Sequence, residues 1–404
     1  MEIRLQSGNI TASVQVRTTG EDTKATLLCS NPPPQNDQVL TDALQQPLGL
    51  PRLGNCIVPD DRVVLVVDPR TPMLAHVIAQ VVEEMTSTAG AVRLVLLLPA
   101  ETVEGTWKGL LDQLPVHVQS QLEVCIHDPE DETQRRYLAS SAGGERIYLN
   151  HFLTDADLIV TIGTVAFDSL LGYRGTCSAM YPALSDRETI DRMRRQGHAE
   201  LTPDEKRPLR DLANEIGWLL GTQFTVQVLA NSDGRITFAA CGLSDEVFPA
   251  TREELNRRWR ATMEEPVDLA VISVATSLPE MGWKELGTAL QTAVRLVEPD
   301  GRIVVIADVP PPTTPGLEIL MRCQDPEDLI KPLRVDSVVD SVETLNLIEA
   351  LSHARICLRS NLNEDVVDEL GMIPVGSDRE LQRLIDSAQQ TIILPGANYA
   401  WIDR

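Results

Sequence analysis

Polar and ionisable side chains recur directly after short apolar runs of the sequence, where strands of a parallel sheet would end. They are Asp68 with Arg70, Glu101 with Thr102, His127 with Asp128, and Thr164 with Asp168. Carboxylates and histidines can act as general acids and bases, and arginine binds carboxylates and other anions. Because the loops after parallel strands lie at one edge of a sheet, these residues could converge on one cleft. Capping of the following turn explains Asp68 and Asp128 equally well.

Other candidate groups carry weaker signals. His127 and Asp128 are adjacent, and neighbours on an extended chain point to opposite faces, so a structural histidine tying a loop is favoured. The glycine-containing loop Gly172–Ser178 could present backbone N–H groups to an anion. Cys177 within it has no histidine nearby in sequence and is interpreted as packing. The sequence lacks GxGxxG, GxxxxGK[ST], GxSxG and HExxH, so no nucleotide or hydrolase motif supports a function.

The elements that would position these groups alternate between apolar strands and helical repeats. The first region contains four apolar runs, each ending at a polar or breaker residue, followed by a hairpin across Asn231–Gly234. The runs are Val63–Val67, Val92–Leu98, Leu122–Ile126 and Leu158–Ile162. Strands alternating with helices are typical of a parallel α/β sheet.

A second α/β region follows Pro266. Its predicted strands are Val267–Val274, Gly301–Ala307, Arg355–Leu358 and Thr391–Leu394, and Arg252–Met263 before it is a charged helical stretch. The sequence thus predicts an α/β protein with an N-terminal domain over 1–263 and a C-terminal α/β domain over 264–404.

The composition of the chain restricts the classes of partner that we expect it to bind. The chain has 404 residues, 43% of them hydrophobic, and a net charge of −24, which repels nucleic-acid phosphates and anionic lipid. No apolar run approaches a membrane span, and the N-terminus does not resemble a secretory signal. Seven widely spaced cysteines without a CxxC pair indicate reduced thiols. We expect a cytoplasmic protein with a small-molecule ligand and with neither nucleic acid nor membrane as partner.

Read in order, several segments together resemble the nickel-pincer lactate racemase (LarA-like) family over almost the whole chain. The segments are Leu40–Leu44, Ile57–Pro72, Tyr137–Ala139, Ile147–Asn150, Ala156–Ile159, Gly172–Pro182, Arg187–Ile190, Val267–Ser273, Pro299–Ile303 and Leu370–Val375. The resemblance implies two α/β domains with parallel-type sheets around an interdomain cleft. It also implies a nickel-bearing pyridinium mononucleotide and hydride chemistry on a 2-hydroxy acid.

The resemblance also shows where this sequence departs from the family. The family's cofactor-linking lysine falls on Ser178, and its three histidines fall on Asp168, on Arg194 and near Thr102. Asp68 matches the aspartate of the family's Asp-x-Thr-Arg-Pro loop after the first strand. Arg70-Thr71-Pro72 has the arginine and threonine in the reverse of the family's order. Substrate-contacting positions of the second domain fall near Glu285, Leu286 and Ala289. Serine cannot replace the lysine's link to the cofactor, and arginine is not a nickel ligand.

Two hypotheses follow. The first is a diverged lactate racemase-like protein, without cofactor, that binds a small molecule such as a hydroxy acid or acts as a non-catalytic homologue. The second is a racemase or epimerase with a rebuilt site, in which Asp68, Asp168 and Arg194 are the catalytic candidates. Substrate or anion binding would then involve Arg70, Thr102, Tyr173, Arg174 and Ser178. No cofactor is expected, and a nickel-pincer nucleotide would return only if the family chemistry is retained.

Overall fold

The protein is represented by a computed structural model that describes residues 2–15, 25–28, 38–88, 92–101, 105–194, 201–221, 224–276, 282–336, 338 and 340–404. These residues form two compact units. The central unit comprises Pro34–Ala230 and Arg235–Asn256. The terminal unit comprises Met1–Pro33, Asn231–Gly234 and Arg257–Arg404, and so contains both chain ends.

The strands alternate along the chain with the helices. In chain order the described strands are β1 (Glu2–Ser7), β2 (Ile10–Gln15), β3 (Ala25–Leu27), β4 (Arg62–Val67), β5 (Arg93–Leu98), β6 (Leu122–Ile126), β7 (Arg135–Ser140), β8 (Arg146–Asn150), β9 (Leu158–Gly163), β10 (Ala166–Asp168), β11 (Gly172–Arg174), β12 (Phe224–Ala230), β13 (Ile236–Leu243), β14 (Arg260–Thr262), β15 (Val267–Ser273), β16 (Val297–Ile306), β17 (Arg355–Arg359), β18 (Ile373–Pro374), β19 (Thr391–Leu394) and β20 (Trp401–Asp403).

The described helices, in the same order, are α1 (Val39–Gln45), α2 (Leu74–Thr88), α3 (Thr106–Asp112), α4 (Val116–Gln119), α5 (His151–Thr154), α6 (Arg187–Arg194), α7 (Pro208–Leu219), α8 (Ser244–Trp259), α9 (Gly282–Val294), α10 (Pro315–Arg322), α11 (Ile330–Asp336), α12 (Ser341–His353), α13 (Glu364–Glu369) and α14 (Asp378–Ser387).

The central unit is built on a six-stranded sheet of order β13-β12-β9-β4-β5-β6. All neighbours pair in parallel except β12 and β13, which form the predicted antiparallel hairpin. Strands β4 and β5 are buried along nearly their whole length, as continuous apolar runs in a covered parallel sheet should be. The chain continues from β4 to β5 and β6 on one side, and later adds β9 and β12 on the other. The strand order therefore reverses between β4 and β9.

The terminal unit contains a second six-stranded sheet, of order β18-β17-β16-β15-β19-β3, whose neighbours all pair in parallel. The β1–β2 hairpin packs on it: Ile3, Leu5 and Val14 share one apolar core with Leu269 and Val304. The predicted α/β class with parallel-type sheets is confirmed.

The grouping of residues differs from the predicted division at 263 and 264. The N-terminal hairpin packs with residues of the C-terminal region. The predicted helical stretch Arg252–Met263 is wrong in its last turn, because α8 ends at Trp259 and Arg260–Thr262 pairs in parallel with Trp401–Asp403. Both differences arise from pairing between distant segments, which local periodicity does not encode.

Candidate functional site

The candidate site lies at the carboxyl ends of β4 and β9, where the strand order of the central sheet reverses. Ligands of open parallel sheets bind at such a reversal, because the loops diverge and leave a crevice. Asp68 directly follows β4, and its backbone N–H donates to the carbonyl of Ile162 in β9 at 2.9 Å. Asp168 ends β10, which follows β9 after two residues. The topology thus brings together the two loops that the sequence analysis singled out.

A tight hairpin carries Arg174 back toward this reversal. Strands β10 and β11 pair antiparallel with Ala166 opposite Arg174 and Asp168 opposite Gly172. The turn is held by Asp168, whose Oδ1 accepts the backbone N–H groups of Leu170 and Leu171 at 2.9 and 3.1 Å. Asp168 is therefore a turn-forming residue as well as a charged one.

Two arginines and two aspartates form an ion network there, in which Asp68 and Arg174 are buried. Arg174 Nη1 donates to Asp68 Oδ2 at 2.6 Å, and both side chains are less than a tenth exposed. Arg70 lies between the carboxylates, with Nε 3.5 Å from Asp68 Oδ1 and Nη1 3.7 Å from Asp168 Oδ2. Its side chain is 20% exposed, which makes it the more accessible of the two guanidinium groups.

The network determines the protonation of Asp68. Burial by itself raises the pKa of this carboxyl, but the charges of Arg174 and Arg70, with the N–H of Arg70 at 2.9 Å, outweigh it and hold the pKa well below its usual range. Asp68 is therefore ionised throughout the physiological pH range.

The loop after β11 is shaped by backbone strain and by its own hydrogen bonds. Gly175 has φ +127°, and Thr176, a β-branched residue, has φ +51°. Ser178 caps this turn: its Oγ accepts the N–H of Gly175 at 2.7 Å and lies 3.1 Å from the same residue's carbonyl oxygen. Met73, in the loop after Asp68, also has a positive φ of 51°. Positive φ at non-glycine residues concentrates at functional sites, so both loops at the reversal carry this mark.

Tyr173 is buried and faces a different set of partners. Its hydroxyl lies 2.9 Å from Asp204 Oδ1 and 3.0 Å from Asn256 Oδ1, and its ring packs 5.5 Å from that of Phe167. These contacts give Tyr173 a structural explanation within the central unit.

Two further predicted site residues are not brought into this network. Arg194 is the last residue of α6, and within the described residues Asp168 makes its ion pair with Arg70 and none with Arg194. Thr102 lies outside the described residues. In the terminal unit, Leu286 and Ala289 are core residues of α9, and Glu285 Oε2 accepts the amide of Asn398 at 2.8 Å.

The structure adds two residues that the sequence analysis missed. Gln227 of β12 is fully buried, and within the described part of the chain its Oε1 has no hydrogen-bond partner. A Cβ at Gly163 would lie 3.2 Å from Gln227 Nε2, and a Cβ at Gly175 would lie 3.0 Å from Gln227 Oε1. Both glycines therefore allow the Gln227 side chain to lie close to the backbone. Arg210 Nη1 donates to the carbonyl of Gly175 at 2.8 Å, and burial lowers the pKa of Arg210 to about 10. For Gln227 the sequence signal was a polar residue within the apolar strand β12, whereas Arg210 lies among other polar residues of α7 and does not stand out.

The structural interpretation of His127 is supported by its contacts. Its Nε2 donates to the carbonyl of Ser185 at 2.7 Å, and its Nδ1 accepts from Asn150 Nδ2 at 3.1 Å. Cys177 is buried against Ser244, and burial raises the pKa of its thiol.

Within the described ranges, no cluster of three or more His, Cys, Asp or Glu is placed to hold a metal ion. No helix of these ranges is long and apolar enough to span a membrane.

Comparisons with known proteins agree with the observed topology. Residues 11–204 match the family profile of the lactate racemase N-terminal domain. The whole chain superposes on all of the lactate racemase apoprotein from Thermoanaerobacterium thermosaccharolyticum with a TM-score of 0.76 at 14% identity. A protein from Thermotoga maritima gives a TM-score of 0.64 at 14% identity over 93% of this chain and 99% of its own. No curated protein sequence matches significantly.

Proposed function

Because this chain is a lactate racemase-like protein, we propose that it keeps the family's site as a binding pocket for a small molecule, such as a 2-hydroxy acid, and has lost nickel-pincer catalysis. The observation that carries the proposal is the ion network in which Arg174, within the cofactor-loop segment, is bonded to Asp68 at 2.6 Å. The charge of Arg174 in this loop is thus balanced by a carboxylate of the protein itself.

The residues present do not fit a nickel-pincer nucleotide. Ser178 stands where the family's lysine attaches the cofactor, and its hydroxyl is engaged with Gly175 as the cap of a strained turn. A hydroxyl could form only an ester or thionoester, which hydrolyses more readily than the amide or thioamide that an amine forms. Asp168 stands at the position of one histidine and is engaged by two backbone N–H groups and Arg70.

Proton transfer is also poorly supported. A general base works best when its pKa lies near the operating pH. The pKa of Asp68 is held far below that range by Arg174 and Arg70, so Asp68 stays ionised and is a weak proton acceptor. We therefore assign Asp68 a positioning role: it holds the two guanidinium groups.

Ligand recognition is assigned to Arg70. Its guanidinium has the planar donor geometry that suits a carboxylate, and it is more exposed than Arg174. A carboxylate ligand would lie against Arg70, and side-chain oxygens of Asp68 and Asp168 would accept hydrogen bonds from its hydroxyl group.

The test of lost catalysis is intact-mass spectrometry with metal analysis, on protein produced together with the enzymes that make the pincer nucleotide. A nickel-pincer lactate racemase produced in the same cells is the positive control. We expect an unmodified chain with substoichiometric nickel and no interconversion of D- and L-lactate. A cofactor-sized mass increase with one nickel per chain, or racemase turnover, would overturn the proposal.

The test of binding is isothermal titration with a panel of 2-hydroxy acids, including both lactates. We expect saturable binding that Arg70→Gln weakens by tenfold or more, since a charge-assisted hydrogen bond contributes about 1.5–3 kcal/mol. Arg62→Gln is the matched control, because Arg62 is an exposed arginine at the opposite end of β4. Equal affinity in the two variants would exclude Arg70 as the anion site.

The alternative function, a 2-hydroxy-acid racemase or epimerase with a rebuilt site, is favoured by the paired carboxylates at the reversal and by the strained backbone at Met73 and Thr176. It predicts slow racemisation by the purified chain, measured by chiral chromatography. Asp168→Asn should abolish that activity, whereas Asp157→Asn, which alters an exposed carboxylate, should not.

The expected cellular setting stays a prediction. A chain of net charge −24 should not retain nucleic acid in a filter-binding assay at low salt. A cytoplasmic location without membrane association is checked by fractionation of the native host.

A further inference from the structure

A second candidate ligand site lies in the terminal unit, between strands β16–β18 and helix α14. Arg302, in the middle of β16, and Arg355, at the start of β17, are register partners. Cys357 follows Arg355 by two residues and so faces the same side of the sheet. On α14, Glu380, Arg383 and Leu384 share one helix face, because they are spaced by three and four residues. Strand β18, at the sheet edge, adds Ile373 and Pro374.

These residues line one cavity of about 430 Å³, which we call the arginine groove. Its volume lies within the ~300–1,000 Å³ typical of small-molecule sites. One wall is apolar, formed by Ile373, Pro374, Val375 and Leu384, and Ile373 is 51% exposed. The groove therefore offers an apolar surface next to a row of guanidinium groups.

The charges of the groove are not balanced within the described protein. Arg302 Nη1 donates to Ser387 Oγ at 2.8 Å, and Arg302 Nη2 lies 3.5 Å from Asp268 Oδ2. Glu380 Oε2 accepts the backbone N–H of Gly376 at 2.8 Å. Arg355 and Arg383 make no ion pair with any described residue. Two like charges beside Arg302 repel one another, and a bound anion would relieve this repulsion.

We propose that the arginine groove binds an amphipathic organic anion, a molecule with an acidic head and an apolar body. The head lies between Arg355 and Arg383, and the body packs on Ile373, Pro374 and Leu384. Charge complementarity sets the sign of the ligand, since this positive cluster stands out on a chain of net charge −24. The small volume favours a single molecule over a folded partner.

The experiment uses the full-length chain and 8-anilinonaphthalene-1-sulfonate, a fluorescent probe with a sulfonate head and an apolar ring system. We expect saturable binding that Arg355→Ala and Arg383→Ala each weaken by tenfold or more. Arg334→Ala, an exposed arginine of α11 outside the groove, is the matched control and should leave the affinity unchanged. Thermal unfolding confirms that all three variants are folded.

Competition tests the two halves of the proposal. Decanoate, which carries both head and body, should displace the probe, whereas inorganic phosphate and decanol at the same concentration should not. Unchanged probe affinity in Arg355→Ala and Arg383→Ala, or binding without saturation, would overturn the proposal. Displacement by phosphate as strong as that by decanoate would also overturn it, because the apolar wall would then contribute nothing.

Discussion

At the residue scale, the Asp68–Arg174 pair is the feature on which the site depends. Both groups are buried, so each compensates the charge of the other where water cannot. Removal of one partner from a buried pair leaves an uncompensated charge, which is far more costly than the loss of an exposed pair.

We predict that Arg174→Met lowers the free energy of unfolding by about 3–5 kcal/mol, measured by urea denaturation. Arg93→Met is the control: it breaks the exposed Arg93–Glu123 pair at 2.9 Å and should cost about 0–1 kcal/mol. Similar losses in the two variants would show that the buried pair stabilises the fold no more than an exposed one.

The same pair makes stability depend on acid pH. The pKa of Asp68 is lowered in the folded state, so the contribution of Asp68 to stability is complete above its unfolded pKa of about 3.9 and is lost as the pH falls below that value.

The protonation state of His127 leads to a second prediction at this scale, on the pH dependence of stability. Asn150 Oδ1 accepts from the N–H of Phe152 at 3.0 Å, so its Nδ2 faces His127 Nδ1, which must stay unprotonated. Burial accordingly lowers the pKa of His127. The unfolded chain therefore takes up a proton before the folded one, and stability falls as the pH drops below about 6.5.

His127→Gln should flatten this dependence of the unfolding midpoint between pH 7.5 and pH 5. His76→Gln, which changes an exposed histidine of α2, is the comparison and should leave the slope unaltered. An unchanged slope in His127→Gln would contradict the assignment.

At the element scale, α7 packs directly against the loop that follows β11. Gly217 of α7 is placed where any Cβ would collide with Cys177 Sγ, so the glycine permits the close approach of helix and loop. A glycine inside a helix costs about 1 kcal/mol relative to alanine, which indicates that the packing gain exceeds this cost.

We predict that Gly217→Ala destabilises the protein despite its better helix propensity. In a Cys177→Ala background the clash is reduced to a Cβ contact, so the same substitution should cost at least 1 kcal/mol less. A double-mutant cycle by chemical denaturation measures this coupling. Additive effects of the two substitutions would mean that α7 does not determine the loop's position.

At the scale of the whole molecule, the two chain ends belong to one unit. Leu5 is fully buried in the core that the β1–β2 hairpin forms over the terminal sheet. The hairpin therefore supplies a layer that covers strands almost 300 residues away in sequence, such as Val297–Ile306.

We predict that Leu5→Ala destabilises the terminal unit by about 2–5 kcal/mol. Hydrogen exchange should show faster opening of Val297–Ile306. Arg4→Ala, an exposed neighbour on the same strand, is the control and should leave exchange unchanged. Equal protection of that strand in Leu5→Ala and the parent would contradict the role of the hairpin as a core layer.

The sequence by itself determined the α/β class, most strands of both sheets and the loops that carry Asp68 and Asp168. It could do so because apolar strand runs, helical repeats and breakers are local signals. Val63–Val67 and Leu158–Ile162, for example, match β4 and β9 within one residue at each end.

Only the tertiary structure decided how these groups combine. The pairing of Arg174 with Asp68, the choice of Arg70 over Arg194 as the partner of Asp168, and the exposure of Arg70 depend on the strand order and on the β10–β11 hairpin. The burial of Gln227 and the place of the N-terminal hairpin in the terminal unit do so as well. These are contacts between residues tens to hundreds of positions apart, and their energies depend on burial, which no local pattern of residue types specifies.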